Sequence, residues 1–158
     1  MSAVLSIREL FKAGYLSSLD LHLCEALQRI SEEKDPLVAL GAAVACRATT
    51  SGHVCADLAS IISSPPLGSG GDPVPGASWP ELDAWVTALS GSGLVGNGED
   101  ASPLVLEDNR RLYLGKYWDL QQRLVGEIEA RIALPPDSPD DELLRRGIKR
   151  LFGSDESG

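Results

Sequence analysis

The 158-residue sequence is poor in aromatic side chains, in basic residues and in long apolar runs. Aromatic residues make up 5% of the chain, and with many Ala and Leu residues this composition favours closely packed helices. The chain has 14 Lys and Arg residues against 23 Asp and Glu residues, and the net charge of -9 works against a surface that follows DNA phosphates. The longest apolar run, Leu37 to Cys46, is shorter than the ~20 residues that a membrane span needs.

Cysteine is also scarce. Cys24, Cys46 and Cys55 are odd in number, and all three fall in segments that the pattern predicts to be apolar helices. We therefore expect buried, reduced thiols rather than a disulfide framework. The first turns of the chain carry charged residues and contain no apolar core of signal-peptide length, so a cytoplasmic location is expected.

The sequence is rich in amphipathic helical patterns. Ile7, Leu10 and Phe11 predict a first short helix, which Gly14 is placed to end as its C′ residue. Apolar spacing also predicts helices from Ser18 to Lys34, from Pro36 to Thr50, from His53 to Ile62 and from Trp79 to Leu89. Asp35 and Pro36 form a typical helix start, and Ser78 with Glu81 forms a capping-box pattern. The helix after Pro36 is apolar around nearly its whole circumference, which predicts that it lies at the centre of a bundle. Residues 63–77, rich in Gly, Ser and Pro, are predicted to be a mobile surface loop.

The most specific local pattern begins at Pro103. Leu104 to Leu106, the turn residues Glu107 to Asn109 and the alternation from Arg111 to Leu114 predict a β-hairpin over residues 103–114. Leu94 and Val95 are expected to add a short third strand. After Gly115 the period changes to about 3.6, which predicts an amphipathic helix to about Ala133.

The apolar positions of this long helix are Tyr117, Leu120, Leu124, Val125 and Ile128, together with the polar Gln121. Pro135 and Pro136 are expected to break the helix, and Asp140 to cap a last helix from Asp141 to Phe152. The predicted fold is mainly α, a helical bundle with a small β-hairpin between the C-terminal helices. We assign residues 1–133 to a helical N-terminal domain containing the hairpin, and residues 134–158 to a linker and a C-terminal helix.

Two patterns resemble chemical motifs but lack the context that the chemistry requires. Residues 91–96 match G-x-G-x-x-G, but they follow a predicted helix, whereas a dinucleotide fingerprint follows a strand and opens a helix. His22 with Cys24 and His53 with Cys55 repeat an H-x-C pattern. Residues two apart on a helix point in nearly opposite directions, so neither pair can bind one zinc ion from the same helix face. No Walker-type phosphate loop occurs in the sequence. We predict no catalytic, cofactor-binding or metal-binding residue.

Two groups of side chains are candidates for contact with another molecule. The first surrounds the hairpin and comprises Arg110, Arg111, Tyr113, Lys116, Tyr117 and Trp118. Its aromatic members are interpreted either as core residues or as a protein-facing patch. The second is the basic cluster Arg145, Arg146, Lys149 and Arg150, which either balances the last helix electrostatically or contacts DNA or an acidic partner. A small winged-helix-like DNA-binding module that uses these basic residues is the alternative reading.

Two stretches together resemble a known family. Residues 52–58, Gly-His-Val-Cys-Ala-Asp-Leu, are followed further along by residues 103–106, Pro-Leu-Val-Leu, and residues 111–118, Arg-Leu-Tyr-Leu-Gly-Lys-Tyr-Trp. Their order and spacing, with Leu19-Asp20-Leu21-His22 before them, resemble the N-terminal domain of RecD, the alpha subunit of bacterial exodeoxyribonuclease V. The resemblance covers about residues 15 to 133.

This resemblance implies that the chain belongs to a subunit of a larger protein complex. Full-length members of the family are ATP-dependent 5′ to 3′ DNA helicases within the RecBCD helicase-nuclease, which processes double-strand breaks, and their N-terminal domain docks onto RecC. The resemblance therefore implies a RecC-like partner, with DNA bound through the parent complex. ATP and magnesium belong to the motor of such a protein. Because this sequence reaches Gly158 without a phosphate-binding loop, we expect neither ATP hydrolysis nor a small-molecule substrate here.

Overall fold

The computed structural model describes residues 6–134 and 140–153, and this part of the chain is mainly helical with a small sheet. The helices are α1 (Ile7–Lys12), α2 (Ser18–Ser31), α3 (Pro36–Thr50), α4 (Leu58–Ile62), α5 (Leu82–Gly91), α6 (Gly115–Ala133) and α7 (Asp141–Phe152). The strands are β1 (Ala56–Asp57), β2 (Val95–Gly96), β3 (Leu104–Glu107) and β4 (Arg111–Leu114). The predicted mainly α fold with a hairpin is confirmed.

Helix α3 occupies the centre of the core, as predicted. Every residue from Val38 to Cys46 is buried. Asp35 caps the helix by accepting a hydrogen bond from the Leu37 N–H at 2.8 Å. The core around the helix is completed by residues of the other elements, among them Leu10, Cys24, Leu58, Trp85, Leu89, Leu104 and Leu112.

The sheet is larger than the predicted hairpin. Its strand order is β1-β4-β3-β2, with β3 and β4 antiparallel and β2 parallel to β3. The third strand expected at Leu94 and Val95 is confirmed as β2. Strand β1 was not predicted, because its two residues lie within a stretch whose apolar pattern resembles a helix.

Three predicted helix boundaries are wrong. Helix α2 ends at Ser31 rather than Lys34, because Glu32 takes a left-handed backbone with φ 57°. The helix predicted from His53 begins only at Leu58, so Cys55 lies in the loop before β1 and is only half-buried. Helix α5 begins at Leu82, and no capping box forms at Ser78.

The chain divides into two compact units, the first ending at Leu124 and the second beginning at Val125. The domain division predicted after residue 133 stays a prediction. In the second unit Asp140 caps α7, as expected, by accepting hydrogen bonds from the N–H groups of Glu142 and Leu143. The breaks predicted at Pro135 and Pro136 lie outside the described residues.

Candidate docking surface around the hairpin

The hairpin reverses through two residues with left-handed backbone. Asp108 and Asn109 have φ values of 51° and 50°, and the Arg110 N–H donates to the Glu107 carbonyl at 3.0 Å. Asn and Asp tolerate this conformation better than other residues with a Cβ. The turn predicted from Glu107 to Asn109 is confirmed, and it fixes where the side chains of β4 emerge.

Arg110 is held by a carboxylate from another part of the first unit. Its Nε lies 3.0 Å from both oxygens of Asp57, and its Nη2 lies 2.7 Å from Oδ2. Asp57 also caps α4 by accepting the Ser60 N–H at 3.0 Å. The Arg110 hydrogen bonds, helped by the Ser60 N–H, lower the pKa of Asp57 to about 2. The two charges therefore compensate each other, which leaves Arg110 less available to an anionic partner.

Arg111 and Tyr113 share a second carboxylate. The Tyr113 hydroxyl donates to Glu107 Oε2 at 2.9 Å, and Arg111 Nη1 lies 3.4 Å from the same oxygen. Tyr113 is only 3% exposed, and burial, together with the Glu107 hydrogen bond, raises the pKa of its hydroxyl. Tyr113 thus supports the surface from beneath, and its side chain offers almost no area to a partner.

Trp118 is fixed between the hairpin and the loop that precedes it. Its ring meets Tyr113 edge to face, with centroids 5.0 Å apart and planes at 75°. Gly98 has φ 94°, and a Cβ there would come within 2.6 Å of the Trp118 Cε2 atom. Only glycine suits that position, because both the backbone conformation and the space exclude a side chain. Trp118 is half-buried and serves as a packing residue of this region.

The accessible part of the surface lies on α6, where Lys116 and Tyr117 are exposed. We define the α6 apolar face as Tyr117, Leu120 and Leu124, which lie at i, i+3 and i+7 and are 39%, 46% and 61% exposed. Leu120 and Leu124 were recognised in the sequence as an apolar stripe, but not as surface residues. The stripe was the available signal, and periodicity alone cannot tell whether another element covers it.

Helix α7 is amphipathic in its own right. At 100° per residue, Arg145, Arg146, Lys149 and Arg150 project within one arc of about 140°. The opposite side carries apolar residues that are all exposed in the described chain, namely Leu143, Leu144, Ile148, Leu151 and Phe152. Within residues 6–134 and 140–153, no carboxylate lies within 4.0 Å of these four basic groups.

The part of the chain that the structure describes contains no cluster of three or more His, Cys, Asp or Glu residues suited to hold a metal ion. None of its helices combines the length and apolar character needed to cross a membrane. The glycine pattern of residues 91–96 lies at the end of α5 and leads into β2. The N–H groups of a helix start, which cradle phosphates, are therefore missing there, and the position does not fit a nucleotide.

The family model and the curated relatives that match this chain all describe the same kind of protein. The model of the family described as RecBCD enzyme subunit RecD, N-terminal domain, matches residues 12–113. The RecBCD enzyme subunit RecD of Mycolicibacterium smegmatis is 32% identical over 152 residues, which is 95% of this chain and 24% of that protein. The same subunit of Mycobacterium tuberculosis is 34% identical over 154 residues, again 95% of this chain and 24% of the relative. The chain thus spans about a quarter of the length of these curated relatives. Because the family model covers well over half of the sequence, the chain belongs to the RecD family and contains its N-terminal domain.

Proposed function

We propose that this chain is a non-catalytic docking and regulatory domain that attaches a RecD-type subunit to a RecC-like subunit. The observation that carries the proposal is the exposed α6 apolar face in a domain whose relatives are named as subunits of RecBCD. An apolar stripe left in solvent at helical spacing is typical of a surface that another protein covers.

The hairpin gives this surface a rigid base. Bidentate pairing of Arg110 with Asp57, and the contact of Trp118 with Tyr113, fix the start of α6 relative to the sheet. A preorganised surface loses less conformational entropy on association than a flexible one. The proposed docking face is therefore Tyr117, Leu120 and Leu124, flanked by Lys116.

The wider role follows from the family and is part of the same proposal. The parent protein is an ATP-dependent 5′ to 3′ DNA helicase in a cytoplasmic RecBCD-type complex, which acts on double-strand breaks. ATP and magnesium are bound by its motor, and DNA is reached through the complex. In this division of labour the present chain contributes protein contact and no chemistry. Nucleotide hydrolysis that is lost on mutating a residue of this chain would contradict it.

A binding measurement with matched variants tests the docking face. The double variant Leu120→Glu/Leu124→Glu is compared with Leu19→Glu on α2, because Leu19 is 59% exposed and equally apolar. We expect the double variant to weaken binding to the purified RecC-like subunit by tenfold or more, on the order of the >1 kcal/mol that central contact residues contribute. The Leu19 variant should bind like the unmodified chain. Equal binding of all three proteins would refute the assignment of the face.

The alternative of a winged-helix-like DNA-binding module keeps one supporting observation, the basic arc of α7. The hairpin supports it less, because Arg110 and Arg111 are paired with carboxylates. A duplex-DNA affinity that falls steeply with salt, and disappears in Arg145→Glu/Arg146→Glu, would favour this alternative over docking.

A further inference from the structure

A second feature of the first unit is a cavity of about 510 Å³ beside the C-terminal turn of α3. Val44, Arg47, Ala48 and Ser51 of α3 and its end line one side. The loop through His53 and Cys55 and the start of α4 form the other side, and Tyr15 completes the rim. This cavity is separate from the α6 apolar face, and none of the residues of that face lines it.

The wall formed by residues 52–55 is set by the end of α3. Gly52 has φ 87°, a left-handed conformation that lets the chain reverse, and the His53 N–H donates back to the Ala48 carbonyl at 2.9 Å. This is the usual hydrogen-bonded end of a helix at a glycine. The same side of the cavity continues to Asp57, which is anchored because it is held by Arg110. The side that faces α3 is therefore fixed by hydrogen bonds within the chain.

Arg47 supplies the positive charge of the cavity. Its guanidinium carbon lies 4.2 Å from the centroid of the Tyr15 ring, a cation–π geometry that holds the side chain in place. Within the described residues no carboxylate lies within 4.0 Å of this guanidinium. The carboxylate that also lines the cavity, Asp57, is already bound to Arg110. Arg47 is thus a positioned cation that has no carboxylate partner among the described residues.

The other residues that line the cavity indicate which kind of anion it fits. Val44, Ala48 and Ile61 give the cavity an apolar side, which suits an aliphatic stem rather than a bare ion. A single guanidinium matches the two oxygens of one carboxylate, whereas polyanionic nucleic acid is held by many cations and is repelled by a chain of net charge -9. The volume is sufficient for a short peptide segment in addition to the acidic side chain.

We propose that this cavity is a carboxylate-recognition pocket that accepts a Glu side chain, with an adjacent apolar residue, from a protein partner. Arg47 forms a bidentate contact with the carboxylate, and the apolar side holds the neighbouring side chain. The identity of the partner as the RecC-like subunit rests on the proposed function, whereas the chemistry of the pocket does not.

The pocket is tested first without any partner. The probe is the blocked dipeptide acetyl-Leu-Glu-amide, compared with acetyl-Leu-Gln-amide, which has the same shape but no charge. Cys55 is a built-in reporter, because it lines the cavity whereas Cys24 and Cys46 are buried. We expect the acidic dipeptide to shift the Arg47 Nε–H resonance to saturation and to slow alkylation of Cys55 by iodoacetamide.

Comparisons with a neutral dipeptide, with three variants and with inorganic phosphate make this test decisive. The Gln dipeptide and the variant Arg47→Gln should each bind about tenfold or more weakly, as expected for loss of a hydrogen-bonded charge contact. Arg47→Lys, which keeps the charge, should bind at an intermediate level, and Arg29→Gln on α2 should bind like the unmodified chain. Equal affinity for both dipeptides, or retention of binding in a folded Arg47→Gln protein, would overturn the proposal. Tighter binding of inorganic phosphate than of the dipeptide would overturn the choice of carboxylate.

Binding to the RecC-like subunit then separates the two proposals. If that subunit binds the unmodified chain and Arg29→Gln but binds Arg47→Gln about tenfold more weakly, it supplies the carboxylate. If it binds Arg47→Gln undiminished, the pocket is not its docking site. If it does not bind the unmodified chain while the dipeptide still does, the proposed function fails and the pocket stands.

Discussion

Helices α3 and α6 both carry many apolar residues, yet their environments are opposite. In α3 every side chain from Val38 to Cys46 is buried, whereas none of the 19 residues of α6 is buried. Helix α3 is apolar all round and rich in Ala, so neighbouring elements pack closely on every side of it. Helix α6 concentrates its apolar residues in one stripe, and that stripe faces solvent. The apolar pattern of a helix therefore predicts which face can be buried. Only the packing of the other elements decides whether the fold buries that face or leaves it exposed.

The largest effect on stability is expected at Trp85, which packs against α3. Its ring is fully buried, stacks on Trp79 with centroids 6.0 Å apart, and donates its Nε1–H to the Leu37 carbonyl at 2.9 Å. Trp85→Ala should lower the free energy of unfolding by about 3–5 kcal/mol, because it opens a cavity and removes that donor. Urea denaturation followed by circular dichroism measures the loss. A change below about 1 kcal/mol would show that α3 is not the stability centre.

Two glycines allow a sharper test of the same contrast. In α3 a Cβ on Gly41 would lie 2.7 Å from Leu89 Cδ2 and 3.1 Å from Leu112 Cδ2, whereas a Cβ on Gly126 in α6 would meet nothing within 4 Å. Gly41→Ala should therefore destabilise by about 1–3 kcal/mol through overpacking. Gly126→Ala should stabilise by up to about 1 kcal/mol through helix propensity alone. Thermal unfolding of the two variants should give midpoint shifts of opposite sign, and shifts of the same sign would contradict the comparison.

A smaller effect is expected at Asp57, which joins the sheet to α4. Asp57→Ala removes both the cap and the ion pair, whereas Asp57→Asn keeps a good capping side chain, so the difference between them should be about 1 kcal/mol. Because Arg110 lowers the pKa of Asp57 to about 2, the ionised carboxylate stabilises the folded state above its ordinary pKa near 3.8. That contribution should be lost as the pH falls from about 4 through 2. Unfolding curves measured over this range test the linkage, and the Asp57→Asn variant, which lacks only this titration, gives the contribution of the other carboxylates.

The smallest effect on stability is expected on the α6 apolar face. Leu120→Gln and Leu124→Gln replace exposed side chains of similar length, so each should change the free energy of unfolding by less than about 0.5 kcal/mol. The same urea titration used for Trp85→Ala measures this. A loss of 2 kcal/mol or more would mean that the face already packs against the chain, and the docking proposal would lose its basis.

Features set by local chemistry could be predicted from the sequence. The start of α3 follows from Asp35 and Pro36, and the hairpin turn follows from Asp108 and Asn109, because each depends on the backbone preferences of a few adjacent residues. The central position of α3 was also predictable, since a helix without a polar face has no side to offer to water.

Features set by tertiary contacts could not be predicted from the sequence. Strand β1 exists because Ala56 and Asp57 pair with Leu112 and Arg111, far along the chain. The late start of α5 is by contrast a local effect, because Pro80 disfavours helical backbone at Trp79. Trp79 instead packs edge to face against Tyr15, with centroids 5.4 Å apart.

The candidate site shows the same limit. The sequence pointed to this segment, but it could not indicate that Tyr113 is buried or that Asp57 and Glu107 pair with the two arginines. Asp57 and Arg110 are far apart in the chain, so spacing carries no sign of their pairing. The cavity at Arg47 could not be predicted either, because its lining comes from Tyr15, the end of α3 and the start of α4.

The sheet ends on each side in a strand of only two residues, β1 at one edge and β2 at the other. Such edges offer too few free backbone groups to template an incoming extended chain, which guards the domain against edge-to-edge aggregation. Strand addition at these two-residue edges would form few backbone hydrogen bonds. The surfaces proposed above consist of side chains instead, and point substitutions can dissect their specificity in a way that a backbone-mediated interface would resist.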